Sequence, residues 1–157
     1  MNKSIAVAFA TALALTVVLF APHGTAKDIP KGGGHAGVIA AGDIKWADVP
    51  GFPGVQMAVL GGNSAKGPHH SMLKFVGGFA APVHHHSADH YGTVIAGTLV
   101  LVVDEKEYKL PAGSYFAFTG RAKHATRCEA GADCVLAIDA RSKWDVVAGE
   151  AKPVGKR

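Results

Sequence analysis

Turn residues recur along this chain at intervals too short for long helices, and that punctuation constrains the fold more than any other feature. Pro50-Gly51-Phe52-Pro53-Gly54, Gly61-Gly62-Asn63, Lys66-Gly67-Pro68, Gly77-Gly78 and Pro111-Ala112-Gly113 divide residues 44–147 into short segments. Between them lie runs rich in β-branched and aromatic residues, which favour strands. Strands are expected at residues 55–60, 72–76, 83–86, 91–95, 98–103, 107–110, 115–118, 125–128 and 134–139. Asp104-Glu105 is the expected tip of a hairpin. No stretch of the domain sustains a 3.6-residue apolar period. The 20 glycines and 8 prolines agree with this pattern. The fold class is all-β, as a sandwich or a barrel.

At 157 residues the chain has room for one domain with a real core. The N-terminus reads as a targeting segment. Lys3 provides a positive start, residues 5–20 carry no charge, and Pro22 breaks the run. Gly24-Thr25-Ala26 offers small residues for a signal peptidase. The expected division is a signal peptide at 1–26, a flexible glycine-rich arm at 27–43, the domain at 44–147 and a tail at 148–157. Export to the bacterial periplasm follows, with no stable membrane insertion after cleavage. A retained anchor is the alternative for the same apolar run. The formal net charge is +4, but the basic residues are scattered, so nucleic acid is not an expected partner. Cys128 and Cys134 flank a polar, glycine-containing turn. In an oxidising compartment such a pair closes as a disulfide across a hairpin; two buried thiols are the alternative.

The histidines concentrate the chemistry. His84, His85, His86 and His90 fall within seven positions, and His124 opens a later strand. Strand alternation sends His84 and His86 to one face and His85 to the other. The Ser87-Ala88-Asp89 turn can return His90 beside that pair. Neutral imidazole is the commonest transition-metal ligand. A histidine-rich surface loop without a fixed ion is the competing reading. Asp89 is a candidate to orient a histidine ring or to polarise its turn. His69 and His70, after Pro68, read as solvated loop residues.

The run from Gly78 to Gly97 resembles the first motif of the cupin superfamily, G-x5-H-x-H-x3-E-x6-G. Gly78, His84, His86 and Gly97 match, and His90 stands where the glutamate usually does. The second motif, G-x5-P-x-G-x2-H-x3-N, is matched by Gly113 and His124. Thr119, Arg121 and Cys128 replace its proline, glycine and asparagine. The likeness runs from about Trp46 to Val147.

This resemblance implies a single cupin barrel, a double-stranded β-helix of the jelly-roll kind. It also implies one divalent transition metal on His84, His86, His90 and His124. Manganese or iron is favoured; zinc, nickel or copper is admissible, because imidazole suits most of these ions. Four neutral histidines leave the site at a charge of roughly +2, whereas a carboxylate in the set would leave roughly +1. Any activity that uses the glutamate as a base is thereby put in doubt. Tyr91, Phe116 and Phe118 are candidate pocket-lining residues, although aromatic side chains of a small barrel are more often plain core. The implied partner is a small-molecule ligand or substrate, and homodimer pairing through barrel edges remains open. Two functional classes stand: a metal-dependent, dioxygenase-like enzyme, and a non-catalytic binding or sensing module.

Overall fold

The computed structural model describes residues 37–149. The expected signal peptide, the first ten residues of the expected arm and residues 150–157 of the expected tail lie outside the described residues. A single 3-10 turn, Ala41–Asp43, occupies the end of the expected arm.

Eleven strands follow. In chain order they are β1 (Ala47–Asp48), β2 (Val55–Gly62), β3 (His69–Phe75), β4 (Ala80–His85), β5 (His90–Ala96), β6 (Thr98–Val103), β7 (Lys106–Pro111), β8 (Tyr115–Phe118), β9 (His124–Cys128), β10 (Cys134–Ala140) and β11 (Val147–Ala148). All pairings are antiparallel. One sheet runs β1-β2-β3-β10-β5-β8 and the other β11-β4-β9-β6-β7. The inner faces meet in a core that includes Leu73, Val94, Leu99, Leu101, Leu136 and Ile138. This is a jelly-roll barrel.

Two details of the strand reading need correction. The two-residue strands β1 and β11 were not expected; each is too short to carry a period and exists through pairing, with β2 and β4 respectively. His69 and His70 were expected in a solvated loop, but they open β3. His70 is exposed, whereas His69 is 2% exposed because it lies on the inner face with Ser71, Leu73 and Phe75.

The turns obey backbone sterics. Asp104 and Glu105 both have positive φ, at 48° and 67°, as a two-residue hairpin turn requires. Gly97, at φ 74°, carries the chain from β5 in one sheet to β6 in the other. A Cβ there would lie 2.5 Å from the Asp133 carbonyl oxygen and 2.9 Å from the Cys134 Cα. Only glycine fits that corner.

Cys128 and Cys134 are bonded, with 5.8 Å between their α-carbons. The connection is not the expected hairpin. β9 and β10 belong to different sheets, so the bond staples one sheet to the other.

Candidate metal centre

One end of the barrel gathers imidazoles from three strands. His90 opens β5 and lies opposite Phe118 of β8 and Ala140 of β10. His124 opens β9 and lies opposite His84 of β4. His86 follows β4, and alternation across His84, His85 and His86 buries the first and third, at 8% and 7% exposure.

The β4–β9 register explains how His84 reaches this end. Ala81 pairs with Thr126, but His84 pairs with His124, so β4 carries one extra residue at Pro82-Val83. A bulge of this kind shifts the in–out alternation by one residue. Ala81 and His84 therefore both line the cavity, although they are three apart. Pro82 sits at the irregularity, where a missing N–H costs no ladder hydrogen bond.

The rings converge. The possible ligand nitrogens of His84, His86 and His124 lie within 4.8 Å of one another. The His90 ring lies 4.8 Å from that of His86 and 6.1 Å from that of His124, centroid to centroid. Each Nδ1 faces a backbone carbonyl: His84 that of Pro82 at 2.7 Å, His90 that of Ala88 at 3.1 Å, and His124 that of Ala122 at 3.0 Å. His86 faces the carbonyl of Asp145. A carbonyl can only accept, so each Nδ1 carries the proton and donates it. That choice of tautomer leaves four Nε2 lone pairs free for a ligand role.

Burial is the main cause of lowered pKa at all four residues. Desolvation, opposed by the carbonyl hydrogen bond and assisted by neighbouring imidazoles, brings His86 to about 3 and His124 to about 4. His84 and His90 are lowered by the same leading cause. All four are neutral at neutral pH, the state a metal ligand needs.

Aromatic side chains fence the group. Phe118 stacks on His124 at 3.9 Å with an 8° interplanar angle. Trp144 stacks on His86 at 4.1 Å and meets His90 edge-on at 5.1 Å. The cavity inside is about 70 Å³. Its walls are Leu, Val, Phe and similar side chains, and among the described residues its ionisable lining side chains are these four histidines. Of the aromatic candidates, Phe116 and Phe118 line it. Tyr91 does not: one step along β5 from His90 it faces outward, where the Arg141 guanidinium lies over its ring at 5.2 Å. Among the described residues Asp89 accepts no hydrogen bond from a histidine ring. Its carboxylate accepts the Gly120 N–H at 2.9 Å, tying the turn before β5 to the turn before His124.

The sequence reading gave no role to the segment after β10. Trp144 covers two imidazoles, and Asp145 works twice. Its carbonyl holds His86, and its carboxylate accepts the Ser87 N–H at 2.7 Å. A tryptophan just past the last long strand was the available signal for such a strap. His69 was missed too. Its Nδ1 donates to the Gly67 carbonyl at 3.1 Å, while its Nε2 and the Ser71 Oγ are buried without a partner among the described residues.

The described residues form an all-β barrel with buried, tautomer-matched imidazoles at one end. Residues 72–140 match the family described as "Cupin domain". The fold is that of a jelly-roll cupin barrel. Among solved structures, the polyketide cyclase RemF from Streptomyces resistomycificus is similar, with TM-score 0.62 and 15% identity over 76% of this chain and 89% of that one. An RmlC-like cupin from Ralstonia eutropha has TM-score 0.60 and 19% identity over 73% of each chain. A predicted oxalate decarboxylase from Thermotoga maritima has TM-score 0.56 and 17% identity over 67% of this chain and 98% of that one. At these identities the likeness shows the fold alone. Among curated proteins none matches this chain.

Proposed function

We propose that this chain is an exported, metal-dependent cupin of dioxygenase-like type, acting on a small organic substrate, with one divalent first-row ion on His84, His86, His90 and His124. The observation that carries the reading is the tautomer set. Four buried imidazoles each spend Nδ1–H on a backbone carbonyl and keep Nε2 free. Clustering such rings is costly unless something binds the lone pairs they share. Manganese and iron are favoured, because an all-imidazole site with two further positions suits a six-coordinate ion; zinc, nickel and copper remain admissible. When bound, such an ion supplies Lewis-acid and, for a redox metal, dioxygen chemistry. The protein's part is to orient the imidazoles, through four carbonyls and two stacked aromatic rings, and to keep bulk water from them with an apolar wall. Export draws support from the N-terminal sequence and from the disulfide, since such bonds persist in oxidising compartments.

One observation favours a second reading, a binding or sensing module without turnover. Among the described residues no carboxylate lines the cavity, so within them the imidazoles are the acid–base groups that stand ready there. Elemental analysis of untagged protein, followed by oxygen uptake against a panel of diketones and phenols, separates the two. Stoichiometric metal with oxygen consumption supports the enzyme. Stoichiometric metal with no turnover on any panel member supports the module. Substoichiometric metal after reconstitution with each ion overturns both metal readings.

A further inference from the structure

The two sheets leave a seam where their free edges, β7 and β8, face each other. Along this seam runs a groove of about 350 Å³. Val103, Tyr108, Leu110, Tyr115 and Ala117 contribute to its walls, and among the described residues no acidic or basic side chain lines it. The groove shares three side chains with the central cavity: Leu101, Phe116 and Phe118. These three form the partition between the groove and the imidazoles.

Phe116 is the notable part of that partition. Its ring lies against the backbone of Gly92, its cross-strand neighbour on β5. A Cβ at position 92 would sit 2.1 Å from Phe116 Cζ, so glycine is what lets the ring lie flat there. From that position the ring meets His90 edge-on at 6.4 Å. The central cavity alone, at about 70 Å³, is well below the roughly 300–1,000 Å³ typical of small-molecule sites. The groove reaches that range but stands apart from the histidines.

We propose that the seam groove is the outer part of the substrate site. Its occupant is a neutral, mainly apolar small molecule, whose aromatic or alkyl body lies along β7 and β8. Phe116 swings off Gly92 to admit the oxygen-bearing end to the histidines. This rests on the reading of the histidine end as the working site. The chemistry of the walls selects the class. An anionic group carried into either compartment would lose water without gaining a charged partner, apart from the imidazoles themselves. A rim cation exists, Lys106, but its Nζ already lies over the Tyr108 ring, 4.8 Å from the centroid.

The test is a fluorescence titration with a matched pair of probes. N-phenyl-1-naphthylamine is neutral, and 1-anilinonaphthalene-8-sulfonate carries a charge on the same ring frame. Each is titrated into metal-stripped and metal-loaded protein. The neutral probe is expected to saturate at one per chain and to bind at least about tenfold more tightly than the sulfonate, a difference of about 1.4 kcal/mol. Tyr115→Glu changes an exposed groove residue (62% exposed) and is expected to weaken the neutral probe about tenfold. Phe116→Ala, with folding checked by circular dichroism, is expected to tighten it by joining the two spaces. Lack of saturable binding, equal affinity for the sulfonate, or indifference to Tyr115→Glu would overturn the proposal. Probe binding to metal-stripped protein does not depend on the metal reading. A groove that binds in a protein without stoichiometric metal would refute the metal centre and leave the groove standing; the reverse pattern would refute the groove alone.

Discussion

His84 and His124 face each other across the β4–β9 pairing because β4 carries one extra residue between Ala81 and His84. Their ring centroids are 4.4 Å apart. Without that bulge, strict alternation from Ala81 would turn His84, three residues on, away from the cavity. The histidine cluster is thus a product of register as much as of residue type.

His85 and His86 make a direct comparison. His86 lies within the ligand-nitrogen cluster, and His85 points away from it. His85→Ala is expected to leave metal content near wild type. His86→Ala is expected to lower metal affinity at least about tenfold. Elemental analysis after dialysis against a competing chelator reads both. Equal losses would mean loose binding in no fixed geometry.

Acid should destabilise the metal-free barrel. The buried imidazoles have folded-state pKa values below the unfolded value of 6.5, about 3 for His86 and about 4 for His124. Below pH 6.5 the unfolded chain binds protons that the folded chain refuses, so their stabilising contribution is complete above that pH and falls as pH drops toward 4 and 3. Each such histidine contributes a slope on the order of 1 kcal/mol per pH unit in that window. Urea unfolding of stripped protein at pH 7.5, 6 and 5 checks this. A flat profile would show that the rings are not buried and neutral.

Arg121 stands where the second motif has glycine, and its backbone is left-handed, with φ 61°, directly after Gly120, also at φ 61°. A side chain there carries strain that glycine lacks. Arg121→Gly is expected to raise stability by about 1 kcal/mol without loss of metal, as measured by denaturant unfolding and elemental analysis. Destabilisation would mean that the arginine side chain makes a compensating interaction.

The Cys128–Cys134 bond closes a short loop and joins the two sheets. Thiol titration of unfolded, non-reduced protein should find no free thiol. Reduction should cost about 2 kcal/mol of stability, at the low end because the closed loop is short. Two free thiols would defeat the bond.

Most of the barrel was legible in the sequence because its turns are local chemistry. Gly97, the Asp104-Glu105 tip and the Pro111-Ala112-Gly113 turn impose backbone geometry whatever surrounds them, and the strands between them are short and β-branched. The shared face of His84 and His86 was also legible, since residues two apart on a strand point the same way. His124 joins them from β9 in the group whose ligand nitrogens lie within 4.8 Å of one another, a group that does not include His90. Other features were decided by tertiary structure. Tyr91 faces outward because the inner positions of β5 belong to His90, Gly92 and Val94, a parity that propensity does not reveal. His69 became buried because β3 begins three residues earlier than its apolar run and pairs at once with β2 and β10. Trp144 and Asp145 act on His86 from a segment with no regular structure, 58 and 59 residues further along the chain. Such contacts depend on where the chain returns in space. Local propensity speaks only for neighbours along the chain, whereas the bulge at Pro82-Val83, the strap over His86 and the staple between sheets are set by packing between distant ones.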